Sequence, residues 1–136
     1  RTILTPHPGE MARLCRCTIA AVQADRIGLA RRRAADWNAV VLLKGANTVV
    51  AAPDGNATVL PFANPALAPA GSGDVLAGVI VGLLCQGLAP YQAATLGGYL
   101  HGLAGALARR DLGDAGVLAG DLAARLPLAM RQLRAA

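Results

Sequence analysis

Ala70, Gly71, Ser72, Gly73 and Asp74 place two glycines and a carboxylate directly ahead of an apolar run, Val75 to Cys85. The run predicts a helix over about Asp74 to Gln86 that is apolar nearly all round and lies inside the protein. At the mouth of such a helix the first backbone N–H groups have no partner, and the helix dipole adds positive potential. Gly71, Ser72 and Gly73 are therefore expected to form an anion hole for a phosphoryl group, with glycine permitting close approach. Asp74 has two readings: a general base that takes the proton of a hydroxyl being phosphorylated, or a plain helix N-cap. The spacings of a Walker loop and of a dinucleotide fingerprint are both absent around this turn.

Two further residues carry chemistry. Lys44 ends the aliphatic run Ala39 to Leu43 and is followed by Gly45, Ala46, Asn47 and Thr48. Its ammonium either reaches phosphate oxygens, with Gly45 leaving room for a ligand, or simply extends into solvent. His7 stands between Pro6 and Pro8 in a stiff turn. That stiffness suits a ring that orients a substrate, and equally a structural turn histidine. Glu10 is a second-tier candidate that caps or orients the same turn. His101 lies among Leu100, Gly102 and Leu103 in the middle of a helical stretch, where packing is its expected role.

The elements that must hold these residues alternate between helix and strand. Ile3 and Leu4 read as the tail of a strand. A short helix is expected over Glu10 to Arg16, with Pro8 in its first turn, and a second of about 16 residues from a Thr18 cap to Ala35. Ala39 to Leu43 has the continuous aliphatic character of a strand buried on both faces. Thr48 to Ala52 and Thr58 to Leu60 read as a hairpin around Pro53, Asp54, Gly55 and Asn56. Pro90 to about Arg110 is predicted helical although Gly97, Gly98, Gly102 and Gly105 weaken it by roughly 1 kcal/mol each; in exchange they permit close packing. A last helix is expected from Ala119 to Leu133, kinked or broken at Pro127.

Composition fixes the class. Residues 1–136 suffice for one core, and 54% hydrophobic with 15% charged residues describes a folded interior. A net charge of +5 favours anionic partners. Nucleic acid is not among those expected, since neither aromatic platforms nor a groove-reaching basic stripe is evident, and Arg31, Arg32 and Arg33 read as a solvated helix face. Cys15, Cys17 and Cys85 fit neither a disulfide framework nor a zinc site, so no protein metal site is expected. The longest apolar stretch falls short of the roughly 20 residues a membrane span needs. With no secretion leader evident, a cytoplasmic location is expected.

Gly71 to Asp74 resembles the G-x-G-D signature of the ribokinase-like small-molecule kinases. Within that superfamily, Leu4 to Glu10 resembles the strand-to-helix turn of the NAD(P)H-hydrate dehydratases, and Lys44 to Thr48 resembles their K-G-x-x-T nucleotide-binding turn. Asn64, Pro65, Asp74 to Gly78, and Tyr99 to Gly102 continue the similarity in order. The resemblance implies a ribokinase-like three-layer α/β/α sandwich, of which this chain is the C-terminal half, a partial domain cut from a longer protein. It implies that His7 and Asp74 contact hydrated NADH or NADPH, with Asp74 catalytic. Lys44, Gly45, Ala46, Asn47, Thr48 and Gly73 would hold ADP or ATP carrying Mg2+. The implied reaction is repair: the ring hydroxyl is phosphorylated and then lost as phosphate.

A homo-oligomer and a fused or separate epimerase domain are the partners the resemblance suggests. Pro69 departs from the small polar residue expected ahead of the glycine-rich turn, which puts the local hydrogen bonding in question. Two alternatives stand beside the dehydratase: a vitamin-precursor or sugar kinase of the same superfamily, and a silent nucleotide-binding fragment. If residues 1–136 were the whole chain, an open sheet edge would favour self-association or inactivity.

Overall fold

The strand Val40–Leu43 (β2) has all four residues buried, and the rest of the molecule is arranged around it. Its side chains alternate between two cores. Val41 and Leu43 pack on one face with Met11, Val22, Leu29 and Ala30, while Val40 and Leu42 pack on the other with Leu60, Leu76, Ile80 and Leu83. A strand with apolar partners on both faces lies in the middle layer of an α/β/α sandwich, as its composition predicts. The computed structural model describes residues 2–135.

Ile3–Leu4 (β1) pairs parallel with β2, aligning Ile3 with Val40 and Leu4 with Val41. The connection between them holds three helices, Pro8–Cys15 (α1), Ile19–Ala24 (α2) and Arg26–Trp37 (α3). The sequence led us to expect one helix from Thr18 to Ala35. The chain breaks instead at Asp25, whose backbone leaves the helical region and whose carboxylate accepts from the Gly28 N–H at 2.9 Å. Asp25 thus starts α3 as an N-cap instead of continuing α2. Arg32 and Arg33 lie on α3 and pair with Asp25 and Asp36.

Val49–Ala51 (β3) is antiparallel to β2 and Ala57–Val59 (β4) is antiparallel to β3, giving the sheet order β1-β2-β3-β4. The Pro53 to Asn56 turn closes the second hairpin, with Gly55 at φ 91°. The other face of the sheet carries Ser72–Cys85 (α4) and Pro90–Leu112 (α5), and Ala119–Arg134 (α6) packs on α5. α6 runs through Pro127 without interruption. Among the described residues no helix is long and apolar enough to cross a membrane.

α4 differs from its expected burial. Leu76, Ile80 and Leu83 are buried, but Asp74, Ala77, Gly78, Val81 and Cys85 form an exposed row, with Val81 55% accessible. An all-apolar sequence therefore has one uncovered side here, since α5, α6 and the sheet leave that row open. The glycines of α5 do what their spacing predicts: a Cβ at Gly97 would strike Ile80, at Gly98 Leu60, at Gly102 Phe62 and at Gly105 Leu67.

Phe62 is held edge-on against Tyr99, with ring centroids 5.2 Å apart, so it has little freedom to retreat from α5. Alanine would add about 1 kcal/mol of helix propensity at Gly102, against an overpacking cost of typically about 1–3 kcal/mol. Gly102→Ala is expected to lower the unfolding free energy in urea by a net of up to about 2 kcal/mol; a raised midpoint would show that the helix has room to move.

Candidate functional site

Because β1 and β2 run parallel, the segments leaving them emerge at one edge of the sheet, the carboxyl edge where open α/β sheets place their ligands. The Lys44 N–H donates to the Pro6 carbonyl at 2.8 Å, tying the two exits together. His7 is the N-cap of α1. Its Nδ1 accepts from the N–H groups of Gly9 and Glu10 at 3.0 and 3.2 Å, while Glu10 Oε2 accepts from the His7 N–H at 2.7 Å. Nδ1 is committed as an acceptor, so the ring proton of neutral His7 sits on Nε2, 3.5 Å from Glu10 Oε1. The His7 N–H holds the Glu10 carboxyl below its ordinary value of 4.5, with Lys44 and Arg13 adding positive potential against slight burial.

Lys44 to Thr48 is the loop of the β2-β3 hairpin. Gly45 (φ 136°) and Asn47 (φ 53°) bend it, and Thr48 Oγ1 donates to the Gly45 carbonyl at 3.0 Å. Arg26 braces it from outside: its guanidinium donates to the carbonyls of Leu43 and Lys44 at 3.1 and 3.3 Å. With these carbonyls turned toward Arg26, the turn leaves its inner side for Lys44. The Lys44 Nζ is 3.7 Å from Glu10 Oε2 and lies 3.2 Å from where a Cβ on Gly73 would stand. The hairpin turn and the glycine-rich turn therefore meet at Lys44, and a side chain at position 73 would press on the ammonium.

The glycine-rich turn is more selective than its sequence suggests. Gly71 is the N-cap of α4 at φ 84° and offers no side-chain cap. The N–H of Ser72 is taken by the Pro69 carbonyl and that of Asp74 by the Gly71 carbonyl, both at 3.1 Å. The N–H groups of Gly71 and Gly73 have no protein partner among the described residues, so the anion hole is narrower than three successive amides. Ser72 is buried and its hydroxyl donates to the Leu67 carbonyl at 2.8 Å, anchoring the turn to the 3-10 turn Pro65–Leu67. That bond, with the Pro69 carbonyl, supplies the local hydrogen bonding where the sequence carries Pro69. Asp74 is exposed in the first turn of α4, and its carboxylate makes no hydrogen bond or ion pair among the described residues. It is not the N-cap.

Two cavities open on this junction. One of about 440 Å³ is lined by Lys44, Gly45, Ala46, Thr48, Ser72 and Gly73, with Phe62, Leu67 and Leu76 as apolar walls and Asn64 at its rim. The other, of about 500 Å³, is lined by His7, Lys44, Gly71, Ser72, Gly73 and Asp74. Lys44, Gly45, Ser72 and Gly73 belong to both. Of the residues singled out for the site, Asn47 and the second-tier Glu10 line neither cavity; Asn47 shapes its turn and bonds through its N–H to the Phe62 carbonyl. Among the described residues no group of three or more His, Cys, Asp or Glu side chains is placed to hold a metal ion.

Sequence reasoning missed two residues. Arg26 reaches the hairpin turn across the fold, and no local pattern marks it. His101, expected only to pack, is 7% accessible, lines the first cavity, and has Nε2 3.0 Å from the Ser72 carbonyl.

A family model described as NAD(P)H-hydrate dehydratase matches residues 1–128. The chain is 55% identical over 131 residues to the bifunctional NAD(P)H-hydrate repair enzyme Nnr of Moorella thermoacetica, covering 96% of this chain and 25% of that protein. It is 49% identical over 122 residues to the ADP-dependent (S)-NAD(P)H-hydrate dehydratase of Neisseria meningitidis, covering 89% of this chain and 41% of that one. The crystal structure of the Bacillus subtilis ADP/ATP-dependent NAD(P)H-hydrate dehydratase, co-crystallised with ATP and Mg2+, superposes with a TM-score of 0.91 at 38% identity. It covers 96% of this chain and 47% of that one. The chain thus spans between a quarter and a half of the length of these relatives.

The lowered Glu10 carboxyl makes a prediction. A carboxyl depressed on folding stabilises the native state above its unfolded value, and the contribution disappears as pH falls through the depressed value. Glu10→Gln is expected to unfold at lower urea than the parent at neutral pH, and the gap should close on acidification below 4.5. A gap that stays constant with pH would mean that the charge of Glu10 plays no part in holding the turn.

Proposed function

Because the chain belongs to the NAD(P)H-hydrate dehydratase family, we propose that it forms the nucleotide- and substrate-binding half of an ADP- (or ATP-) dependent (S)-NAD(P)H-hydrate dehydratase. The observation that carries this reading is the meeting of the two cavities at Lys44 and Gly73, with an unengaged carboxylate, Asp74, lining the second. The first cavity suits the nucleotide. Its apolar walls accept a flat base, and the Lys44 ammonium and Gly73 N–H stand where the phosphates would lie. The second suits the hydrated nicotinamide, oriented by the Nε2–H of His7.

In this reading the terminal phosphoryl group passes from the nucleotide to the hydroxyl oxygen on the ring, and the hydroxyl proton leaves to Asp74. The ring C–O bond then breaks, releasing phosphate, and loss of a ring proton restores NADH or NADPH. Lys44 and the Gly71 and Gly73 amides stabilise charge that develops on the transferring group. The side chains present do not build a metal cage, so magnesium would be carried by the nucleotide phosphates and neutralise their charge. We place the activity in the cytoplasm, where its cofactor substrates are found. An epimerase partner, fused or separate, accords with the bifunctional relatives.

The test is incubation of the chain with hydrated NADH, ADP and Mg2+, following the return of nicotinamide absorbance. Asp74→Ala is expected to keep the fold and nucleotide affinity and to lose turnover by about 10²–10⁴-fold, the range that general-base catalysis supplies. Near-parental turnover in that variant would remove Asp74 from the mechanism. Accumulation of a stable phosphorylated product in place of NADH would favour a kinase.

A further inference from the structure

The peptide unit between Ser72 and Gly73 carries at one end the carbonyl facing His101 and at the other the unpartnered N–H of Gly73. The unit is planar and trans, so its two ends point in opposite directions and fixing one fixes the other. A carbonyl oxygen only accepts, so at 3.0 Å His101 Nε2 must be the donor. Burial pushes His101 below its ordinary value, so the ring is neutral with its one proton on Nε2. The side chain reaches this carbonyl from mid-α5, where Gly98 brings the helix close to Leu60 and Leu42 and Gly102 brings it close to Phe62.

We propose that His101 is a positioning residue of the phosphoryl-transfer site: its Nε2–H holds the Ser72 carbonyl and thereby aims the Gly73 N–H at the transferring phosphoryl group. The proposal rests on the nucleotide-dependent reading above for its consequence, and on the coordinates for its geometry. It gives a buried imidazole a function that packing alone does not need, because an apolar side chain would fill the same space without requiring a partner.

Two substitutions separate positioning from packing. Glutamine places an amide N–H near the position of Nε2, while methionine preserves volume and apolar contact but has no donor. Misaim of one transition-state donor is expected to lower kcat of His101→Met on the order of 10²-fold with KM for ADP little changed, and His101→Gln should recover most of the loss. If packing were the role, methionine would be the better replacement, and a Met variant as active as the Gln variant overturns the proposal.

A second readout needs neither turnover nor nucleotide. In the 15N-labelled free chain the Gly73 amide resonance should be shared by the parent and His101→Gln and displaced in His101→Met. An undisplaced Gly73 overturns the proposal even if the chain proves inactive, which would count instead against the dehydratase reading. The imidazole nitrogens of the unsubstituted chain give a check that no folding defect can obscure: the Nε2–H tautomer is expected, and the Nδ1–H tautomer overturns it.

Discussion

The Lys44 ammonium is where the hairpin turn and the glycine-rich turn meet. Its Nζ lies 3.2 Å from where a Cβ on Gly73 would stand, closer than ordinary packing, so a side chain at that position would press on it. This meeting point depends on β2. Four consecutive residues buried between two apolar cores fix the end of that strand to within the tolerance of close packing, and Lys44 is the first residue beyond it. The cation is thus delivered by the core itself. The antiparallel return through β3 then makes the Lys44 to Thr48 segment a closed hairpin loop with both ends anchored.

Each turn is also held by hydrogen bonds of its own. Arg26 takes the carbonyls of Leu43 and Lys44, Ser72 Oγ takes that of Leu67, and His7 and Glu10 cap one another at the start of α1. Carbonyls already engaged leave amides and the lysine ammonium to face the cavities. Groups aimed at a developing negative charge act most strongly when their orientation is already set before the ligand arrives. Asp74 contrasts with them: it stands exposed in the first turn of α4, and its carboxylate has no partner among the described residues.

What the sequence disclosed and what it withheld follow one physical division. Val40 to Leu43, the hairpin around Gly55 and the helix after Gly73 were legible because each is written in neighbouring residues: a continuous aliphatic run, turn chemistry, a glycine followed by an apolar run. The α5 glycines were legible as close contacts, though not their partners. The break at Asp25 was missed although its signal is local, an aspartate three residues ahead of the N–H it caps. Arg26 and His101 were illegible for another reason. Their partners are 17 and 29 residues away, and nothing near either residue distinguishes a brace from a solvated arginine or a packed histidine. The exposed row of α4 was hidden likewise, because an apolar run records what a helix is able to bury and not how many neighbours it has. For the anion hole the sequence showed the right turn but could not show which of its amides the chain had already used.

If the hairpin turn and the glycine-rich turn form one site, titrating the 15N-labelled chain with ADP and Mg2+ moves the backbone amides of residues 45, 46 and 48 and those of Gly71 and Gly73 together, along a single binding curve with one dissociation constant. Shifts confined to one turn, or two turns that respond with separate constants, would show two separate sites.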